Sequence, residues 1–311
     1  MSGPDLPTAT LESLAAVARD DIWVVGALDD TAKTLVEHWD GHRWRVIASP
    51  NPGRTANELR DVAAISPRDV WAVGLTDAKS SALVEHWDGK RWRVVATPAG
   101  SGSLWGVSGD ASDDVWAVGT DDNGVLVLNW NGRRWRRMPS PSVPASVTTG
   151  TLTGFTFLEG VAALSRTDVW AVGSLPGTPD QALLAHWNGR WTIARAPELA
   201  GGLGSLSALS SSDIWGTTGP RGRDTILHWD GAHWRRYRHP QMEGTSSDIA
   251  ALSPSNVWLV SPIMHWNGRT WSVVHRPPQD DTLVTIAAVS PSDIWAAGFY
   301  DAIEHYSCGT S

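Results

Sequence analysis

Cysteine is almost missing from this sequence, and so are tyrosine and phenylalanine. A single Cys308 in 311 residues excludes an internal disulfide framework and any cysteine-based zinc site. Three Tyr and three Phe stand against twenty Trp, an imbalance that needs a structural cause. A basic surplus is also lacking. Lys and Arg number 25 against 33 Asp and Glu, a formal charge of −8, which argues against a dedicated nucleic-acid binder. No apolar run reaches the roughly 20 residues that a membrane-spanning helix needs. The opening Met1-Ser-Gly-Pro-Asp-Leu-Pro has no basic start and no apolar stretch, so no signal peptide is visible. That makes a cytoplasmic location the default, and a secreted one the alternative if a leader was removed. The usual catalytic signatures are missing too: no G-x-S-x-G elbow, no H-E-x-x-H, no phosphate-binding loop and no EF-hand spacing. Neither a cofactor nor a resident metal is expected.

What is present is a repeat. Its clearest copy starts at Leu59 as LRDVAAISPRDVWAVG and, after a short loop, continues ALVEHWDGKRWRVVATP. A first tryptophan, in D-[VI]-W, recurs at Trp23, Trp71, Trp116, Trp170, Trp215, Trp258 and Trp295. A second closes the [HN]-W-[DN]-G box at Trp39, Trp87, Trp130, Trp187, Trp229 and Trp266. A third follows at Trp44, Trp92, Trp135, Trp191, Trp234 and Trp271, leaving only Trp105 outside the pattern. Successive first tryptophans lie 48, 45, 54, 45, 43 and 37 residues apart. A period near 45 with several strand-like runs is the mark of a propeller blade.

Each unit reads as four strands, exemplified by Leu59 to Ser66, Asp69 to Gly74, Ala82 to Trp87 and Arg91 to Ala96. The last two are joined by Asp-Gly or Asn-Gly, the strongest short hairpin signal, because both residues tolerate positive φ. In Val70-Trp71-Ala72-Val73 both faces of the strand are apolar. Both must therefore be covered, as they are in a blade packed between two others. Large rigid indoles suit the wedge between splayed blades. The expectation is an all-β chain, residues 1–311 forming a single seven-bladed β-propeller domain with four-stranded antiparallel blades. The seventh unit stops after its third strand. Either the blade is incomplete, or Met1 to Pro7 closes it as an edge segment.

The unit S-x-x-D-V-W-A-V-G followed by H-W-D-G-x-x-W resembles the tryptophan-rich propeller repeats of bacterial, especially actinobacterial, proteins, most of which lack an assigned activity. The resemblance covers nearly the whole chain and implies the fold. Trp39-Asp40 resembles the WD40 dipeptide without the upstream Gly-His, and Asp40-Gly41-x-x-Trp44 resembles the sialidase Asp-box with its spacing altered. The roles of those two families are not carried over.

Histidine before the third-strand aromatic (His38, His86, His186, His228, His265, His305) and aspartate at the first turn (Asp21, Asp69, Asp114, Asp168, Asp213, Asp293) recur blade after blade. Groups distributed around a ring cannot converge on one substrate, so both sets read as structural, the aspartates as caps of backbone amides. The strand-four arginines, such as Arg45 and Arg93, guard the outer edge. Asp121-Asp122-Asn123-Gly124 reads as a tight turn ahead of a calcium loop.

Function is expected where the repeat breaks. One first-strand position varies freely: Glu12, Arg60, Trp105, Glu159, Gly204, Ser247 and Val284. Glu12, Arg60, Asp61, Trp105, Phe155, Phe157, Glu159 and Asp248 are therefore the candidate ligand-binding residues, expected at the top-face mouth of a channel. The long insertion Pro139 to Glu159 reads as a lid or docking loop. Three readings follow, the last of them a purely structural interaction scaffold. The first is a non-catalytic, monomeric binding propeller that recognises a glycan or a protein partner. The second is an enzyme, a lyase, hydrolase or cyclase, with Glu12, Glu159 or Asp248 as acid/base and Arg60 as an electrostatic clamp.

Overall fold

The computed structural model describes residues 3–4, 6, 8–77, 81–98, 102–142, 156–175, 181–194, 202–218, 225–238, 248–260, 262–275 and 282–307. Every described element is a strand, and no helix is long and apolar enough to cross a membrane. Blade 1 is β1 (Ala9–Ala18), β2 (Asp21–Leu28), β3 (Lys33–Trp39) and β4 (Trp44–Val46). Blade 2 is β5 (Asn57–Ser66), β6 (Asp69–Thr76), β7 (Ser81–Trp87) and β8 (Trp92–Val94). Blade 3 holds β9 (Ser103–Ala111), β10 (Asp114–Asp121), β11 (Gly124–Trp130) and β12 (Trp135–Arg137). In blade 4 come β13 (Phe157–Ser165), β14 (Asp168–Leu175), β15 (Gln181–Trp187) and β16 (Trp191–Ile193). Blade 5 follows with β17 (Leu203–Ser210), β18 (Asp213–Thr218), β19 (Thr225–Trp229) and β20 (Trp234–Arg238). Blade 6 is β21 (Ile249–Ser253), β22 (Asn256–Leu259), β23 (Ile263–Trp266) and β24 (Trp271–His275). Among the described residues, blade 7 has β25 (Leu283–Ser290), β26 (Asp293–Gly298) and β27 (Ile303–Ser307).

Each sheet is an antiparallel meander in sequence order, which makes the chain a seven-bladed β-propeller whose last blade shows three strands among the described residues. The chain divides into two compact units, Met1–Ala96 with Asp248–Ser311, and Thr97–Ser247. Within the first unit, the first strand of blade 1 packs against those of blades 2 and 7. Within the second, β13 packs between β9 and β17. The fourth strands are shorter than the sequence suggests. In blade 2 only Trp92 to Val94 pair as a strand, although Val95 N–H still donates to the Val84 carbonyl at 2.8 Å.

The indoles fill the wedges. Trp23 lies 5.1 Å from Trp87 and 5.6 Å from Trp92 of the next blade. Trp295 meets Trp39 and Trp44, Trp116 meets Trp187 and Trp191, and Trp170 meets Trp229 and Trp234 in the same way. The six recurrent histidines stack on the first-position indoles, at centroid distances such as 4.2 Å for Trp71–His86 and 4.0 Å for Trp295–His305.

The turn aspartates have side-chain partners that the sequence does not suggest. Asp69 Oδ1 takes both His86 Nε2 at 2.8 Å and the Trp71 indole N–H at 2.9 Å. Asp213 and Asp293 hold their His–Trp pairs likewise. Blade 3 substitutes Asn129 for the histidine, and blade 6 substitutes Asn256 for the aspartate, without losing the bonds. Capping of backbone amides is seen at the hairpin two strands later. Asp88 Oδ1 accepts from the N–H groups of Lys90 and Arg91, with Gly89 at φ 85°.

The glycine ending D-V-W-A-V-G has a steric cause that the sequence hides. A Cβ on Gly74 would sit 1.9 Å from the Glu58 carbonyl oxygen, and one on Gly26 would sit 1.9 Å from that of Thr10. The obstacle is backbone, which cannot swing away. Gly74→Ala is expected to cost about 2–4 kcal/mol of stability, read as a lowered midpoint in chemical denaturation. A loss under about 0.5 kcal/mol would show that the first strand yields.

The N-terminal segment does not form the outer strand of blade 7 among the described residues. It fastens the blade at its loop end. Leu6 N–H donates to Asp301 Oδ2 at 3.0 Å, and Tyr300 N–H donates to the Ala9 carbonyl at 2.9 Å. Leu6 also packs on the cluster of Leu11, Ile22, Trp39 and Trp295 that joins blades 1 and 7.

Candidate functional site

The freely varying first-strand position proves to be a β-bulge. The pairing of β1 with β2 skips Glu12, and that of β5 with β6 skips Arg60. Trp105, Glu159, Gly204 and Val284 are skipped in their own blades. A bulge residue is freed from the ladder and its side chain is re-aimed, so these positions can change type without disturbing the sheet. Sequence spacing located them. It did not reveal the bulge, whose one visible trace is the glycine pressed against the preceding carbonyl.

In the first unit the structure brings Glu12 and Arg60 together. Arg60 Nη1 donates to Glu12 Oε1 at 2.7 Å while Nη2 reaches Glu58 Oε2, and the side chains of Arg60, Glu12 and Glu58 are 25%, 26% and 34% exposed. Glu58 was missed from sequence because it lies in an ordinary paired position of β5. Burial raises the Glu12 carboxyl above the ordinary carboxylate range. Arg60 opposes the shift, while Glu58 and Asp29 add to it. Two carboxylates thus flank one guanidinium, leaving an excess of negative charge.

Asp61 and Asp248 are brought into a different arrangement. Asp61 Oδ1 accepts from Ser13 Oγ at 2.6 Å and from Val62 N–H at 2.9 Å. Asp248 Oδ2 accepts from Thr285 Oγ1 at 3.1 Å and Ile286 N–H at 3.0 Å, and Thr285 Oγ1 in turn accepts from Leu14 N–H at 3.1 Å. These bonds run from blade to blade, tying 6 to 7, 7 to 1 and 1 to 2. Both carboxylates therefore hold inner strands in register.

In the second unit Trp105, Phe157 and Glu159 are all half-buried on β9 and β13, strands that pack side by side. Backbone approach there is close, since a Cβ on Gly106 would lie 2.6 Å from the Glu159 carbonyl. Burial pushes the Glu159 carboxyl up to about 7, near the pH where a side chain serves best as an acid or base. Phe155 and most of the insertion lie outside the described residues. Asp121 behaves as a turn residue, bonded to Asn123 N–H at 2.8 Å and to Arg137.

A second concavity went unnoticed in the sequence because only folding brings its parts together. A cleft of about 350 Å³ in the first unit is lined by Arg19, Asp20, Asp40, His42, Asp293 and His305, over Trp39 and Trp295. It lies at the hairpin end of the seam between blades 1 and 7. Its indoles are nearly buried, and its Asp293 and His305 are bonded to each other.

No protein-family model matches the chain, and a search of curated proteins found no match. Solved structures do resemble it. One, titled "YCF48 bound to D1 peptide", is similar at a TM-score of 0.67 and 16% identity, covering 99% of this chain and 96% of the other. A streptogramin B lyase structure reaches a TM-score of 0.71 at 13% identity, with 97% and 94% covered. The WD40 β-propeller domain of Doa1 reaches 0.64 at 10% identity, with 100% and 98% covered. At these identities the likeness shows the fold.

Proposed function

We propose that this protein is a non-catalytic binding propeller that takes a protein segment bearing a cationic group, with a glycan as the second ligand class, at the bulged edge carrying Glu12, Glu58 and Arg60. The observation that carries this reading is the Arg60 guanidinium clasped by two carboxylates, with all three groups part-exposed. The ion pair pre-orients its members, so little ordering remains to be done on binding. The excess carboxylate favours a cation or a set of hydroxyls over a phosphate. Asp61 and Asp248 are engaged in blade-to-blade bonds, and no nucleophile paired with a base accompanies the cluster among the described residues. The similar structure titled as bound to a peptide supports a peptide-type ligand by analogy.

Glu159 favours the second reading, an enzyme, because its carboxyl near 7 suits proton transfer and because one similar structure is a lyase. A single screen separates the two. The purified protein is offered a peptide library, a glycan array and a metabolite panel, then retested as Arg60→Ala, Glu12→Gln and Glu159→Gln. Binding is expected to weaken tenfold or more, about 1.4 kcal/mol, in the first two variants and to be unchanged in the third. Turnover abolished by Glu159→Gln would establish the enzyme instead. Binding that ignores Arg60 and Glu12 would remove the proposed site.

A further inference from the structure

The fourth strands follow a pairing rule that blade 3 breaks. The hairpin before each of them opens on Asp or Asn, and the second residue of the strand lies opposite the stacked histidine or, in blade 3, its substitute Asn129. Where the hairpin residue is aspartate, that strand residue is arginine and the two form an ion pair. Arg45 meets Asp40 at 2.7 Å, Arg93 meets Asp88 at 2.7 Å and Arg235 meets Asp230 at 3.1 Å. Where the hairpin residue is the neutral Asn188 or Asn267, the strand residue is the neutral Thr192 or Ser272. Among the six described fourth strands, only β12 joins an asparagine, Asn131, to an arginine, Arg136.

The surroundings do not make up the missing carboxylate. From Asn131 to Arg137 the chain carries four arginines and no acid, and all four side chains are exposed. Asp121 holds Arg137. Arg133, Arg134 and Arg136 have no acidic partner among the described residues. The insertion that follows brings no counter-charge, because residues 143–155 contain neither Asp nor Glu. Extended positions one or two residues apart lie within about 7 Å, inside the roughly 8 Å over which charges are felt at physiological salt. The three cations therefore repel one another and together attract an anion. Carboxylates close the stretch at both ends, since Asp121 takes Arg137, while Asp113 lies against Gly132 and takes Arg166 at 3.0 Å.

We propose that the outer edge of blade 3, at Arg133, Arg134 and Arg136, is a docking surface for an acidic segment of a partner protein. Guanidinium and carboxylate match in bidentate geometry, so each arginine can take one Asp or Glu of the segment. The uncompensated charge spans only a few residues, which suits a short run of carboxylates. A long polyanion would meet the formal charge of −8 over the rest of its path. Trp135, in the middle of the stretch, is 3% exposed and anchors the backbone that presents the cations, so little ordering is left for binding. Edge protection alone does not account for the pattern, because blades 1, 2 and 5 protect their edges with arginine and keep a carboxylate beside it. The surface lies in the second unit, shares no residue with the Glu12–Glu58–Arg60 site and does not rest on it.

The test titrates a capped, dye-labelled peptide of alternating glutamate and serine into the full chain and follows fluorescence anisotropy. Saturable binding is expected at low salt, weaker at about 150 mM salt and absent for the same peptide with glutamine in place of glutamate. Arg136→Gln, and Arg133→Gln combined with Arg134→Gln, should each weaken it at least fivefold. Asn131→Asp is the sharper variant. It restores the hairpin residue of blades 1, 2 and 5 and gives Arg136 an ion pair without removing any arginine, and binding should again fall at least fivefold. Arg93→Gln removes the same charge from an arginine already paired with Asp88 and should leave binding within twofold. The proposal is overturned by absence of binding up to millimolar peptide at low salt, or by binding indifferent to Asn131→Asp and Arg136→Gln. Equal weakening by Arg93→Gln would also overturn it, since any surface cation would then serve. A single-stranded DNA oligonucleotide held more tightly through the same arginines would assign the surface to a nucleic acid instead. Self-association of the chain that Asn131→Asp abolishes would assign it to a second copy.

Discussion

Glu85→Leu is expected to stabilise the protein, by an amount that grows with pH. Glu85 is fully buried on β7, and neither carboxylate oxygen has a hydrogen-bond partner among the described residues. Its register places it on the same face as Leu83 and Trp87, in the seam with blade 1. Desolvation alone pushes its carboxyl up to about 8. The sign follows from linkage. The folded protein keeps the proton while the unfolded chain, with a value of 4.5, has released it. Stability from this group is complete below about pH 4.5 and is lost as pH rises toward about 8, at roughly 1.4 kcal/mol per pH unit. Leucine removes that loss and occupies the place that Leu128 and Leu227 hold in blades 3 and 5. The gain at pH 8 should be on the order of 3–5 kcal/mol and should shrink to about 1 kcal/mol or less near pH 5. Denaturant midpoints of both proteins across that range measure it, and parallel pH profiles would mean that the carboxyl is hydrated or paired.

Its repeat equivalents show why the same residue type is tolerated elsewhere. Glu304 meets His275 of blade 6 at 2.6 Å. Glu37, also fully buried, faces Asp301 and is pushed up to about 9 by burial first and by that neighbour second. One position in three blades thus carries an ion pair, an acid pair and an unmatched acid.

Trp295→Ala should be the most damaging single truncation of the core. The indole is 1% exposed. It donates to Asp293 at 3.0 Å, stacks on His305 at 4.0 Å and meets Trp39 and Trp44 of blade 1. Its removal opens a cavity and takes away one of the two partners of the buried Asp293 carboxylate, a loss of about 3–5 kcal/mol. Trp258→Ala is a matched comparison, equally buried but, among the described residues, lacking a fourth-strand indole as neighbour. At about 0.5–1.5 kcal/mol per aromatic pair, Trp258→Ala should cost about 1 kcal/mol less. Equal losses from urea unfolding would mean that the place next to Trp258 is already filled.

The contrast between these residues shows how far the sequence could be read. Trp295 was recognisable as core because its spacing recurs and because the strand around it is apolar on both faces. The Asp-Gly hairpins were recognisable because positive φ leaves few alternatives. Asp69 was read as a cap because a carboxylate before a turn usually serves that way. Its actual partners are Trp71, two residues along the same strand, and His86, which the sheet brings within 3 Å from the neighbouring strand. Asp61 and Asp248 were picked as ligand groups for their place near the varying position. The hydroxyls that engage them belong to other blades, out of reach of any local pattern.

The sequence alone determined the blade, its number and its wedge filling, since a period near 45 and a strand apolar on both faces permit little else. Only the tertiary structure decided which exceptions are free to act. It made the varying position a bulge, clasped Arg60 between Glu12 and Glu58, and bound Asp61 and Asp248 into the inner strands. The physical reason is range. Periodicity and turn chemistry are set by neighbours within a few residues, whereas the fate of a charged side chain depends on what other blades bring to it.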